Sequence, residues 1–110
     1  MFEVCNISKN EDAKSYYRDI ESILYSVFTK GKRRCKLYSC NAAIWELDGI
    51  LVLVSYVTPI AVFTPEDGSL YDCLRAVYGY TSTSSQHISK FEKWLAENNY
   101  PVKEAVRFKN

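Results

Sequence analysis

The sequence holds one histidine, His87, and lacks a CxxC pair, a GxSxG elbow, an HExxH pair and a glycine-rich phosphate loop. Each absence removes a class of chemistry, and together they point to a chain that is not an enzyme. The four cysteines, Cys5, Cys35, Cys40 and Cys73, offer no tight Cys/His grouping, so no metal and no cofactor is expected. No apolar run approaches the about 18 residues of a membrane span, and residues 1–9 lack a basic start followed by an apolar run. The cysteines then read as free thiols in a cytoplasm, where they act as small core residues. Net charge is also lacking. With 14 basic and 13 acidic residues the formal charge is +1, neither the basic excess of a general nucleic-acid binder nor the acidity of a DNA mimic. An electrostatic role must come from local clustering.

What is present is ordinary globular material with many aromatic groups. Of 110 residues, 47% are hydrophobic and 25% charged, enough to bury a core in one domain, 1–110, without staples. Nine Tyr, five Phe and two Trp suit half-buried strand positions and interfaces.

The local patterns are legible in order. Residues 1–7 alternate weakly and suggest a short edge strand. Ser8-Lys9-Asn10-Glu11 reads as a capping box. After it Ala13, Tyr16, Tyr17, Ile20, Ile23, Leu24, Val27 and Phe28 follow a helical spacing, which predicts a helix over 9–29, with Gly31 as a left-handed stop. Asp48-Gly49, between the apolar runs 43–47 and 50–56, is a hairpin signal. The second run does not alternate, as expected of a central strand buried on both faces. Pro59 marks an edge, a bulge or a bend, and Pro65-Glu66-Asp67-Gly68 a turn. A strand over about 69–79 follows. Five hydroxyl residues, Thr81 to Ser85, then precede a stripe of Ile88, Phe91, Trp94 and Leu95, a second helix stopped by Asn98-Asn99 and Pro101. Val102, Val106 and Phe108 leave room for a last short strand. The expected fold is α+β: an antiparallel meander of three to four strands packed by an N-terminal and a C-terminal amphipathic helix. With both helices on one face, the other face must be polar, partner-covered or sticky.

Two clusters are candidate contact sites. Lys30, Lys32, Arg33, Arg34 and Lys36 put five cations in seven residues, read as a helix-to-strand loop able to grip phosphates or an acidic protein face. Tyr38 and Trp45 nearby in sequence offer stacking surfaces. The plain alternative is a solvated loop that complements a helix C-terminus. The second cluster is Thr81, Ser82, Thr83 and His87, where amide protons and hydroxyls at a helix start could hold an anionic ligand. Against that, a lone His on an apolar stripe is usually structural, bonded to a nearby polar group.

The segments Leu53-Val54-Ser55-Tyr56-Val57-Thr58-Pro59-Ile60-Ala61 and Val77-Tyr78-Gly79-Tyr80-Thr81-Ser82-Thr83-Ser84-Ser85-Gln86-His87-Ile88-Ser89-Lys90-Phe91 resemble a family of small uncharacterised phage and mobile-element proteins. Its pattern is SYxTxIA, then YGxYSxTTxxHIxxF, and the likeness covers about 40 residues. This chain differs at Ser84 and has one residue fewer between Gly79 and the hydroxyl run. The resemblance implies a small accessory protein of phage or prophage origin and supplies no activity. It also joins the central strand to the helix start, so His87 or Thr83 either locks helix to sheet or helps line a pocket. The function expected is non-enzymatic binding of a host or phage protein in the host cytoplasm, as in an anti-defence, anti-CRISPR-type inhibitor. Nucleic-acid binding through 30–36 and an anionic ligand at 81–87 are the alternatives, and a homodimer is left open.

Overall fold

Strands dominate the chain in the computed structural model, which describes residues 3–8, 22–73 and 82–109. The strands are β1 (Glu3–Ser8), β2 (Lys32–Lys36), β3 (Ala42–Leu47), β4 (Ile50–Ser55), β5 (Thr58–Thr64), β6 (Ser69–Asp72) and β7 (Glu104–Lys109). The helices are α1, described over 22–30, and α2 (Ser82–Glu97). The start of the expected first helix, 9–21, and the stretch 74–81 lie outside the described residues; β6 itself ends at Asp72.

The hairpins form where turn chemistry allows. Asp48 and Gly49 have φ of 50° and 81°, and Leu47 pairs with Ile50, so both turn residues occupy the left-handed region that this dipeptide tolerates. Pro59 lies where β5 shifts register against β4, a bulge that spares the ladder a missing amide proton. Gly68, at φ 72°, closes the next turn. There Asp67 accepts from the Thr64 hydroxyl and from the Ser69 amide at 3.1 Å.

The seven described strands join one mixed sheet in the order β1-β7-β6-β5-β4-β3-β2. β2 to β6 form an antiparallel meander of five strands, longer than the three to four expected. The additional antiparallel strand is β2, whose charged sequence carries no apolar alternation. β7 then adds parallel to β6, and β1 parallel to β7. A parallel pair needs a crossover, and α2 supplies it between β6 and β7. The fold class is α+β.

The helices cover opposite faces of this sheet rather than one. Leu51 and Leu53 of β4 pack with Ile44, Phe63, Leu70 and the α2 residues Ile88, Phe91 and Leu95. Val52 and Val54 point the other way and pack with Val62, Tyr71, Cys73 and the α1 residues Leu24 and Val27. β4 is therefore buried on both faces, which is why its sequence does not alternate. No exposed sheet face needs a partner under β4.

Each helix ends for a local reason. In α2, Asn99 takes φ 63°, the Tyr100 amide donates to Leu95 O at 2.8 Å and the Asn99 amide to Ala96 O at 3.4 Å, a paired capping arrangement with Asn in place of Gly. Gly31 after α1 does not adopt the expected left-handed conformation. It is needed for space: a Cβ there would lie 2.5 Å from Val27 O and 3.0 Å from Glu46 O. Its amide still donates to Val27 O at 2.9 Å, so the helix simply runs into β2 against the β3 backbone.

Candidate functional site

The basic cluster is a strand, not a loop. Residues Lys32–Lys36 form β2, at one end of the sheet. An edge strand has one neighbour and open faces, so it can carry charge where a central strand would need apolar residues. Arg33 pairs with Trp45 and Cys35 with Ile44, which leaves Arg34 as the extra residue of a bulge.

That bulge divides the cations. Arg33 and Lys36 turn to the α1 side, where they line an open cleft of about 540 Å³. Arg34 turns to the α2 side. Its guanidinium donates to the Tyr100 hydroxyl at 3.0 Å and lies 5.8 Å from the Tyr100 ring centre and 5.9 Å from that of Trp94. Those two rings stack with centres 6.0 Å apart. The Tyr100 bond holds the Arg34 guanidinium above its usual pKa. Lys32 faces Glu46 across the ladder, and Lys30 is exposed at the end of α1, where a cation complements the helix dipole.

The aromatic groups are divided as well. Tyr38, at φ 54°, donates its hydroxyl to Glu97 of α2, which pushes the phenol up to about 12, and Lys93 sits 5.6 Å from its ring centre. Trp45 lies on the other face, edge-on to Phe28 at 5.2 Å. Tyr38 and Trp45 therefore do not form one stacking platform. The cleft instead gathers Phe28, Trp45, Tyr56 and Val57 with Arg33 and Lys36. Phe28, expected in the buried stripe of α1, is 48% exposed, because Leu24 and Val27 already fill the contact with the sheet. Tyr25, one turn earlier, is 77% exposed.

Tyr56 and Val57, expected within a strand as part of the Ser55-Tyr56-Val57-Thr58 motif, instead form the tip between β4 and β5. Ser55 pairs with Thr58, so the turn has two residues, one a tyrosine at φ 56° and the other a valine 81% exposed. Gly or Asn is the usual choice at such a φ, and a bulky residue held there costs about 1–2 kcal/mol. The Tyr56 amide donates to Asn41 O at 2.7 Å and fixes the tip over the cleft. The nearest signal in the sequence is Pro59, which marks an edge, a bulge or a bend without placing the tip.

Only part of the second candidate cluster is described. Thr81 lies outside the described residues, α2 begins at Ser82, and Thr83 is exposed. His87 turns inward: it is 3% exposed, and Nδ1 lies 2.7 Å from the Ser55 hydroxyl at the end of β4. The Tyr56 ring lies against it at 5.8 Å. Burial, helped by Lys90, pushes its pKa down and favours the neutral imidazole, a poor anion ligand. The bond ties helix to sheet. Burial also pushes the Cys73 thiol up, so it stays protonated. Among the described residues no three His, Cys, Asp or Glu side chains gather, every buried side-chain nitrogen or oxygen has a hydrogen-bond partner, and no helix is long and apolar enough to cross a membrane.

No curated protein and no solved structure matches this chain. One family model does, over residues 25–107, a span that runs from α1 through the edge strand, the cleft and the His87–Ser55 contact into β7. The chain belongs to that family, a family of unknown function designated DUF8033.

Proposed function

We propose that this chain is a non-enzymatic binding protein that docks on a macromolecule through the cleft beside β2. The observation that carries the reading is convergence: two cations, Arg33 and Lys36, meet exposed Phe28, Tyr56 and Val57 and half-buried Trp45 on one open surface. Aromatic groups and arginine dominate interface hot spots, and monomeric domains rarely spend strained, exposed positions on bulky apolar residues. The one imidazole of the chain is engaged in a buried structural contact, which leaves the binding reading favoured over catalysis. In the finer form of this reading the protein is a phage or prophage accessory factor. Its partner is a host or phage protein, and it acts as an inhibitor of a defence system such as a CRISPR nuclease. That form rests on the sequence resemblance alone.

A pull-down from host lysate with the wild-type chain and the Arg33→Glu/Lys36→Glu double variant tests the docking surface. A partner retained by the wild type and lost by the variant supports it. Equal recovery by a variant that melts like the wild type sinks it.

A second reading, nucleic-acid binding, draws on Arg33 and Lys36 beside the Trp45 ring. A salt titration of DNA and RNA binding checks it: each lost phosphate contact should reduce the salt slope by about 1. The third, an anionic ligand at 81–87, is left with Thr81, Ser82 and Thr83, because His87 is held by Ser55.

A further inference from the structure

Resting on the cleft as the docking surface, we infer that its occupant is an acidic, extended peptide segment that adds to the outer edge of β2 and places an apolar side chain among Phe28, Trp45 and Tyr56.

Three observations support this occupant over others. First, β2 ends the sheet order, so among the described residues no strand pairs with its outer edge. Four of its five residues are exposed. An edge of this kind presents unpaired amide and carbonyl groups to any extended chain that can approach, and added strands take their specificity from pockets for alternate side chains. The cleft is such a pocket, directly beside the strand, with Arg33 and Lys36 of β2 forming part of its wall.

Second, charge selects which chain can approach. β2 reads Lys-Arg-Arg-Cys-Lys. A second copy of β2 would set four cations against four, and like charges opposite one another destabilise a ladder. Lysines on an edge normally protect it from promiscuous pairing. The same charges turn from a barrier into a recognition element when the incoming strand carries carboxylates. Electrostatic matching of this kind favours the right partner and speeds encounter.

Third, the division of the cations disfavours a polyanion. Arg34 is occupied on the α2 side by Tyr100 and Trp94, and neither Lys30 nor Lys32 lines the cleft. Two cations remain at the cleft, few for a phosphate backbone whose affinity grows with the number of phosphates neutralised. They suffice to meet two carboxylates placed two positions before and after an apolar residue, all three side chains on the face of the added strand that looks into the cleft.

The test uses the full chain and three labelled probes: a peptide of alternating glutamate and valine whose central glutamate is replaced by phenylalanine, so that it shares the glutamate face, the same peptide with lysine for glutamate, and oligothymidylate. Binding is read by fluorescence anisotropy, and hydrogen exchange reads the amides of 32–36. The acidic peptide should bind at least about tenfold more tightly than the basic one. Its binding should weaken by a similar factor in Arg33→Glu and Lys36→Glu while Arg34→Ala retains it, and bound peptide should slow exchange of the β2 amides. Equal binding of acidic and basic peptides overturns the proposal, as does binding that leaves β2 exchange unchanged. Tighter binding of oligothymidylate, lost in the same two variants, overturns the acidic peptide while keeping the cleft as a docking surface. Failure of all three probes, with a lysate partner still lost by the double variant, also overturns the peptide and leaves the docking surface standing.

Discussion

Ser55 and His87, 32 positions apart in the chain, meet through Oγ and Nδ1 at 2.7 Å where the central strand runs out and the C-terminal helix begins its second turn. Both residues are buried, at 1% and 3% exposure. Removing the Ser55 hydroxyl takes this hydrogen bond from the buried His87 Nδ1. Ser55→Ala should therefore cost about 1–3 kcal/mol, measured as a shift in urea midpoint at unchanged slope. A loss well under this range would show that the pair is not the lock between helix and sheet.

The same contact makes stability depend on pH. His87 titrates at 6.5 when unperturbed, and in the folded chain burial, with Lys90 second, lowers that value. The unfolded chain then binds the proton more readily, so stability is fully present above about 6.5 and declines as pH falls from there towards the folded value. Urea midpoints of the wild type should drop between neutral and mildly acid pH more steeply than those of His87→Gln, which lacks the titrating ring. Parallel profiles would remove His87 as the cause.

Neighbouring arginines should separate structure from binding. Arg34 bonds Tyr100 and lies over two rings at the surface, so Arg34→Ala should lower stability by about 1 kcal/mol. Arg33 makes no such stack and lines the cleft; Arg33→Ala should leave the melting temperature within about 1 °C and reduce partner binding. Paired thermal melts and pull-downs read both effects.

Two glycines should fail differently. At Gly31 a Cβ would lie 2.5 Å from one backbone oxygen and 3.0 Å from another, neither the end of a flexible side chain. Gly31→Ala should cost about 1–3 kcal/mol through forced backbone movement. At Gly49 nothing lies within 4 Å, but φ is 81°, so Gly49→Ala should cost about 1 kcal/mol of local strain alone. Denaturation of both variants under one set of conditions gives the ranking.

Tyr56 should show the reverse balance. Tyr56→Gly relieves a left-handed tyrosine and loses a ring contact to His87, two terms of similar size, so stability should stay within about 1 kcal/mol. Partner binding should fall, because an exposed ring of the cleft is gone. A marked loss of stability would make the ring a structural part of the lock instead.

Much of this architecture was readable wherever the cause was local. Asp48-Gly49 dictates its hairpin, the unbroken apolar run of β4 announces burial on both faces, and Ile88, Phe91 and Leu95 mark the buried side of α2. The inward turn of His87 also followed from its place on that stripe. What escaped depended on distant partners. KRRCK has no strand pattern, because an edge strand bulged at Arg34 need not bury alternate residues. The placement of α1 and α2 on opposite faces is set by topology rather than by either helix. The cleft was half visible: its cations stood out as a run, but Phe28 looked like core, and Tyr56 and Val57 looked like strand.

The position of β1 has a consequence for how the molecule is made. β7 lies between β1 and the rest of the sheet, so among the described residues 3–8 join the sheet only through residues 104–109. Contacts this distant along the chain form late and slowly. Until residues 104–109 are in place, residues 3–8 lack their partner strand, and that segment stays open to proteases and aggregation. The parallel pair at this margin thus makes the docking of β1 conditional on the docking of β7.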